Sequence, residues 1–253
     1  MRVLRGTVAA AWVLVWLAAV GVGAVAGQRT EMAPVERLLP GALPTVSVAS
    51  LRIPEKAWTH YEKAHDALQT NHLEEYDRET AKALQIAPAF AAVYLLRATH
   101  ELSVHRFDVA IADVLAAQRI EPGTAWSGVL LASAYNGSRR FDDAAAILRN
   151  LAGAEADTWQ AKYEWTRAAI GRGDVAAALR WSEMALDMAP EGCAEAHLLR
   201  ANALNLAQRW PAAIAELEAY LDSGNPRHRA EVLALLEGTR SAGAQAGATM
   251  ASR

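Results

Sequence analysis

Several stretches of the chain carry nearly the same order of apolar and polar positions. FDVAIADVLAAQRIEP, from Phe107 to Pro122, is apolar at helical spacing and stops at a proline. RFDDAAAILRNLA, GDVAAALRWSEMALDMAP and RWPAAIAELEAYL repeat that order further on. Apolar residues recurring at i, i+3 and i+4 line one face of a helix, so each stretch predicts an amphipathic helix. Steps of 34 residues from Phe107 reach Leu73 before it and Phe141, Val175 and Trp210 after it, the last one residue late. Three residues beyond these stand Tyr76, Ala110, Ala144, Ala178 and Ala213. Nine residues before them stand Ala64, Ala98, Ala132, Thr166 and Ala201, and ten after them Ala83, Ala117, Leu151, Ala185 and Tyr220. Pro88, Pro122 and Pro190 close the units in phase, and Ala156 takes the proline's place in the third.

This periodicity resembles the tetratricopeptide repeat, a helix–turn–helix unit of 34 residues with small residues where helices cross. The resemblance covers about residues 57–225, five units. It implies an all-α fold: a right-handed superhelical solenoid of about five helical hairpins plus a C-terminal capping helix. Short turns such as NGSR before Phe141 and GRGD before Val175 join the helices of a hairpin. The residue opening each second helix is expected to fill the gap to its neighbour, which makes Trp210 a core side chain. PRHRAEVLALLEGTR, residues 226–240, reads as the cap, with Val232, Leu233, Leu235 and Leu236 covering the last apolar face. Departures fall at the ends. Tyr76 and Tyr220 occupy positions that favour small residues, so the terminal units are expected to pack less regularly. The tryptophan frequent at the family's fourth position is replaced by His60, Tyr94, Gly128, Lys162 and His197.

Outside the repeat the pattern changes. Residues 1–27 begin with Arg2 and Arg5 and hold an uncharged apolar run, the signature of a signal peptide or an N-terminal membrane anchor. Both readings put the remainder outside the cytoplasm. Residues 28–54 form a linker interrupted by Pro34, Pro40, Pro44 and Pro54, residues 55–240 the repeat domain, and residues 241–253 a small polar tail expected to be disordered.

Composition excludes more than it proposes. A net charge of −3, with no basic domain, argues against nucleic acid as a partner. Arginine outnumbers lysine 21 to 4, which with the alanine excess points to a bacterial source. Cys193 is the only cysteine, so no disulfide within the chain and no thiolate zinc site is available. His60 and His65, like His100 and His105, are five apart and splay around a helix, where metal-binding pairs sit four apart. GRGD falls at a repeat turn and is read as that turn. Glu74-Glu75 and Asp142-Asp143 open second helices, where carboxylates complement the helix dipole. No nucleophile, phosphate-loop or dinucleotide motif is present, so the chain is read as non-enzymatic, with no metal and no cofactor.

The resemblance implies a concave groove lined by first-helix positions. Carried over residue by residue, these include Trp58, Tyr61, Leu95, Thr99, Trp126, Val129, Tyr163, Arg167, Leu198 and Asn202. Only Arg167 among them is cationic, and Asn136, Asn202 and Asn205 fall in later units, which does not match the family's carboxylate clamp. The expected function is a protein-interaction scaffold in the bacterial cell envelope, periplasmic or otherwise extracytoplasmic, that holds a peptide or protein in this groove. Membrane contact is expected only through the N-terminal segment. The alternative is a structural or assembly subunit of an envelope or secretion complex that stacks on copies of itself.

Overall fold

Each second helix of a hairpin is aimed by a two-residue turn that recurs with the repeat. The computed structural model describes residues 52–123, 126–151, 156–190, 193–223 and 228–251. These residues fall into two compact units, divided between Glu155 and Ala156. The N-terminal unit holds three hairpins: α1 (Glu55–Gln69) with α2 (Leu73–Ile86), α3 (Ala91–Ser103) with α4 (Phe107–Ile120), and α5 (Ser127–Gly137) with α6 (Phe141–Arg149). The C-terminal unit holds α7 (Trp159–Arg172) with α8 (Val175–Met188), α9 (Ala194–Leu206) with α10 (Trp210–Asp222), and a final helix, α11 (Arg229–Ala251). No strand occurs among the described residues, and the fold is an all-α helical repeat. The expected leader or anchor at 1–27 and nearly all of the linker lie outside the described residues. No helix among the described residues is long and apolar enough to cross a membrane.

All five turns share one backbone device. Asn71, His105, Arg139, Gly173 and Gln208 each adopt positive φ, between 58° and 73°. The next N–H bonds back to the carbonyl five residues earlier: His72 to Ala67 at 2.8 Å, Arg106 to Glu101 at 2.8 Å, Arg140 to Tyr135 at 2.8 Å, Asp174 to Ala169 at 2.9 Å and Arg209 to Leu204 at 2.9 Å. This is the Schellman closure, which satisfies carbonyls left over at a helix end. A left-handed residue reverses the chain so that the second helix starts two residues later. GRGD is such a turn: Gly173 is the left-handed residue, and the Asp174 carboxylate caps α8 by accepting from Ala177 N–H at 3.0 Å. His72 and His105 lie in turns, as expected. At the far end of hairpins, Ala87, Glu121 and Ala189 are extended before Pro88, Pro122 and Pro190. The proline ring disfavours a helical residue before it, and this stops the second helix.

Small residues meet where helices cross. Ala64, Ala98, Ala132, Thr166 and Ala201 are all 0 % exposed, as are Ala110, Ala144, Ala178 and Ala213. No side chain longer than two heavy atoms fits at a fully closed crossing without spreading the backbones, so these positions fix the distance between helices. The residues opening second helices behave differently. Leu73 and Val175 are exposed, and Phe107 and Phe141 are half-buried. The expectation that Trp210 is a core side chain is corrected: it is half-buried. Phe107 lies so tightly on Gly137, the last residue of α5, that a Cβ there would overlap its ring. Trp210 lies on Gly243 of α11 in the same manner. These residues wedge the rim between neighbouring helices, against glycine, and leave one face to solvent.

In the C-terminal unit, Val232 and Leu236 of α11 complete a core with Ala194, Leu198, Ala201, Leu217 and Tyr220. Leu233, assigned to the covering face, instead points to solvent at 42 % exposure. Four residues along this helix span more than a turn, so 232 and 236 share the buried face and 233 does not. The segment from Ser241, expected to be disordered, continues as helix to Ala251. Its alanines favour helix, and Gly243 gives it a seat on Trp210.

Candidate interaction surface

In the N-terminal unit, the first helices carry Trp58, Tyr61, Leu95, Thr99, Trp126 and Val129. Trp58 and Tyr61 belong to one aromatic group. Trp58 meets Phe90 edge-on with ring centres 4.5 Å apart, and Tyr61 lies 5.5 Å from the same ring. Tyr61 is buried, and burial first, then Glu62, raises its phenol above the ordinary value. Leu95 and Val129 are also buried, while Trp58 and Thr99 are half-buried. The Thr99 hydroxyl donates to the Leu95 carbonyl within its own helix. Trp126 is displaced from the helical face that the repeat register gives it. Helix α5 starts only at Ser127, leaving Trp126 as its cap at φ 67°, a left-handed conformation that costs a bulky residue energy. Its indole N–H is buried without a hydrogen-bond partner.

In the C-terminal unit, Tyr163 is half-buried and meets Trp159 edge-on at 6.2 Å; burial pushes its phenol up. Arg167, expected as the groove's cation, is buried, and its guanidinium lies 3.0 Å from both oxygens of Glu164 one turn earlier. That pair neutralises the charge on the helix itself, so Arg167 does not present an open cation. Leu198 and Asn202 follow on α9, both buried. Asn205, one turn beyond Asn202, donates from its amide nitrogen to the Thr239 hydroxyl of α11 at 3.1 Å. The Asn202 and Asn205 side-chain oxygens are buried without hydrogen-bond partners.

Other polar pairs were not singled out from the sequence. His60 Nδ1 lies 2.6 Å from Glu79, and His197 Nδ1 lies 2.7 Å from Glu216. Both pairs link the fourth position of a first helix to a position 19 residues later on the second helix. In the fourth hairpin the same two positions hold Lys162 and Trp181, the ammonium 5.5 Å above the ring. Trp181 in turn stacks on Trp165 with ring centres 5.4 Å apart. The fourth-position replacements are thus a set of hairpin clasps, and the signal for them was the shared spacing. Cys193 caps α9, and burial pushes its thiol up, the opposite of an activated nucleophile. Among the described residues no group of histidines, cysteines and carboxylates could hold a metal ion.

No protein-family model matches the chain, and no curated protein matches it either. Solved structures do. The Cut9–Hcn1 hetero-tetramer of APC/C is similar with a TM-score of 0.66 at 21 % identity, over 74 % of this chain and 37 % of that one. The chain therefore spans little more than a third of the length of that relative. MamA, from residue 41 to its end, of Desulfovibrio magneticus RS-1 is similar with a TM-score of 0.56 at 12 % identity, over 68 % of this chain and 97 % of that one. These neighbours contain tetratricopeptide repeats. Likeness at this identity speaks for backbone geometry, and together with the alanine crossings and the five matching turns it gives this chain a tetratricopeptide-repeat-like fold.

Proposed function

We propose that the protein is a non-enzymatic interaction scaffold that holds a peptide or protein partner on the faces of its first helices. The observation that carries this reading is where the aromatic residues lie. The crossings are closed by alanine, yet Trp58, Trp126 and Tyr163 remain half-buried on or beside first helices. Large amphipathic rings in that state supply contact area at small entropic cost, which is why they concentrate at binding hot spots. The likeness to repeat-containing proteins found in assemblies supports the reading at the level of fold. The apolar N-terminal run supports a cell-envelope location outside the cytoplasm, with membrane contact through that segment alone. Crosslinking in the native envelope, followed by pull-down with the full chain, tests the proposal. Capture of a defined partner that falls in a Trp126→Ala/Tyr163→Ala variant is the expected result. Capture unchanged in that variant removes these faces from the reading.

A further inference from the structure

We infer that α9, with α11 beside it, reads the main chain of an extended peptide through the side-chain oxygens of Asn202 and Asn205. This rests on the interaction reading above and names the chemistry of the partner at one place. Asn202 is 7 % exposed and Asn205 3 %. Both oxygens are buried without a partner, and both are three residues apart on one helix face. The orientation of Asn205 is fixed. The Thr239 hydroxyl donates to the Leu235 carbonyl at 2.9 Å, so toward Asn205 it can only accept, and the amide nitrogen supplies that bond. The oxygen is therefore the end turned away from α11. A planar carboxamide cannot offer the same atom to both sides.

An unpaired buried acceptor costs more than a hydrogen bond gains, so two in one place on one helix call for donors. Main-chain N–H groups match in kind and in spacing. Along one edge of an extended peptide, N–H groups recur every second residue, about 6.6–6.8 Å. Side chains at i and i+3 on a helix start about 5–6 Å apart and diverge outward. A charged ligand matches less well, because neither amide carries charge and Arg167 already sits on Glu164. Leu198, one turn before Asn202, gives the peptide an apolar neighbour and does not compete for its donors.

The experiment presents arrayed, N-acetylated and C-amidated peptides of 12 residues to the full chain. The tightest binder is then remade with N-methyl groups on alternate amides, in both registers. One register is expected to lose about tenfold or more in affinity and the other to bind as the parent. Asn202→Leu is expected to lose a similar factor while melting at the same or a higher temperature, since it removes a buried orphan oxygen. A residue with a merely structural role would not separate the two readouts. If the leucine variant does not fold, Asn202→Ala removes the same oxygen without added bulk. Binding that ignores N-methylation in both registers, or an Asn202 variant that binds as wild type, overturns the inference and leaves the scaffold reading standing. No array peptide binding at all overturns it too, while envelope capture tests the scaffold reading by itself.

Discussion

The first hairpin and the last each place a tyrosine where middle hairpins place a small residue, and the two rings meet different neighbours. Tyr220 is 1 % exposed and packs with Leu217, Val232 and Leu236, so α10 and α11 approach closely around it. Tyr76 is 2 % exposed, yet α2 approaches α3 much less closely than α4 approaches α5 or α8 approaches α9. Its ring lies 5.0 Å from that of His100, and its hydroxyl is buried without a partner. Burial raises that phenol, Arg97 counteracts the rise, and Glu101 adds to it. Size alone does not decide whether a repeat position tolerates an aromatic residue. The facing helix decides: a cap of valine and leucine closes over a ring, and a polar stretch of α3 does not.

The comparison predicts its largest effect at the two rings themselves. Tyr220→Ala is expected to cost about 3–5 kcal/mol in urea melts, the range for emptying a large core site. Tyr76→Ala is expected to cost less than about 2 kcal/mol, because it restores the small residue around which α4 and α5 already close. Equal losses would mean that the α2–α3 junction is as firmly packed as the cap, and the distinction between the two regions would go.

The histidine clasps allow a second test. Glu79 is almost fully buried and lies 2.6 Å from His60, 2.8 Å from Lys82 and 3.1 Å from Arg78. The Lys82 hydrogen bond, followed by that of His60, holds its carboxyl down to about 2 from an ordinary 4.5. A carboxylate lowered in the folded state contributes stability that is complete above its unfolded value and fades as pH falls through the folded one. The contribution of Glu79 is therefore full above about pH 4.5 and lost toward pH 2. Glu79→Gln is expected to cost about 2 kcal/mol at pH 7, allowing for the half-exposed Lys82 and Arg78. Its stability should then vary less than wild type between these two pH values. Glu216, shared between His197 and Arg200 on a more open surface, is expected to cost about 1 kcal/mol or less in the same substitution. A Glu79→Gln variant with the acid profile of wild type would show that the clasp is not formed.

How far the sequence carried this picture depends on what each residue answers to. Ala64, Ala98, Ala132 and Ala201 were legible because a closed helix crossing admits little else, whatever the neighbours do. The turns were legible in place and not in mechanism: Gly173 advertises a left-handed residue, whereas His105, Arg139 and Gln208 adopt the same conformation with no such sign. Trp210 was misjudged because the opener's burial depends on the next helix, and Gly243 of α11 holds the ring at the rim. The interaction surface was least legible. Helix register assigned Trp126 to a face of α5, but that helix begins one residue later. Arg167 reads as a cation in sequence and is matched by Glu164 in three dimensions. Pairing and helix onset are tertiary outcomes that a period does not encode.

Tyr76→Phe separates the ring from its hydroxyl. Deleting an orphaned buried group removes a desolvation cost, so the variant is expected to gain about 1 kcal/mol, the opposite sign to Tyr76→Ala. A loss would place a hydrogen-bond partner on that hydroxyl and would bring the first junction closer to the last in character.

The smallest effect distinguishes the two hairpins by their turns. Asn71 and Gln208 hold equivalent left-handed positions, at φ 59° and 58°, with the same backward hydrogen bonds. The left-handed conformation crowds Cβ against the next carbonyl and costs an ordinary residue about 1–2 kcal/mol, whereas asparagine visits it readily. Glycine carries no such penalty but leaves a more flexible unfolded chain, which takes back part of the gain. Gln208→Gly is therefore expected to stabilise by about 0.5–1 kcal/mol, and Asn71→Gly to change stability by no more than a few tenths. Chemical denaturation of both variants resolves the difference. Equal gains at the two turns would show that the asparagine side chain does nothing to ease its conformation. A loss at Gln208 would show that its side chain holds the turn in a way the backbone bonds do not.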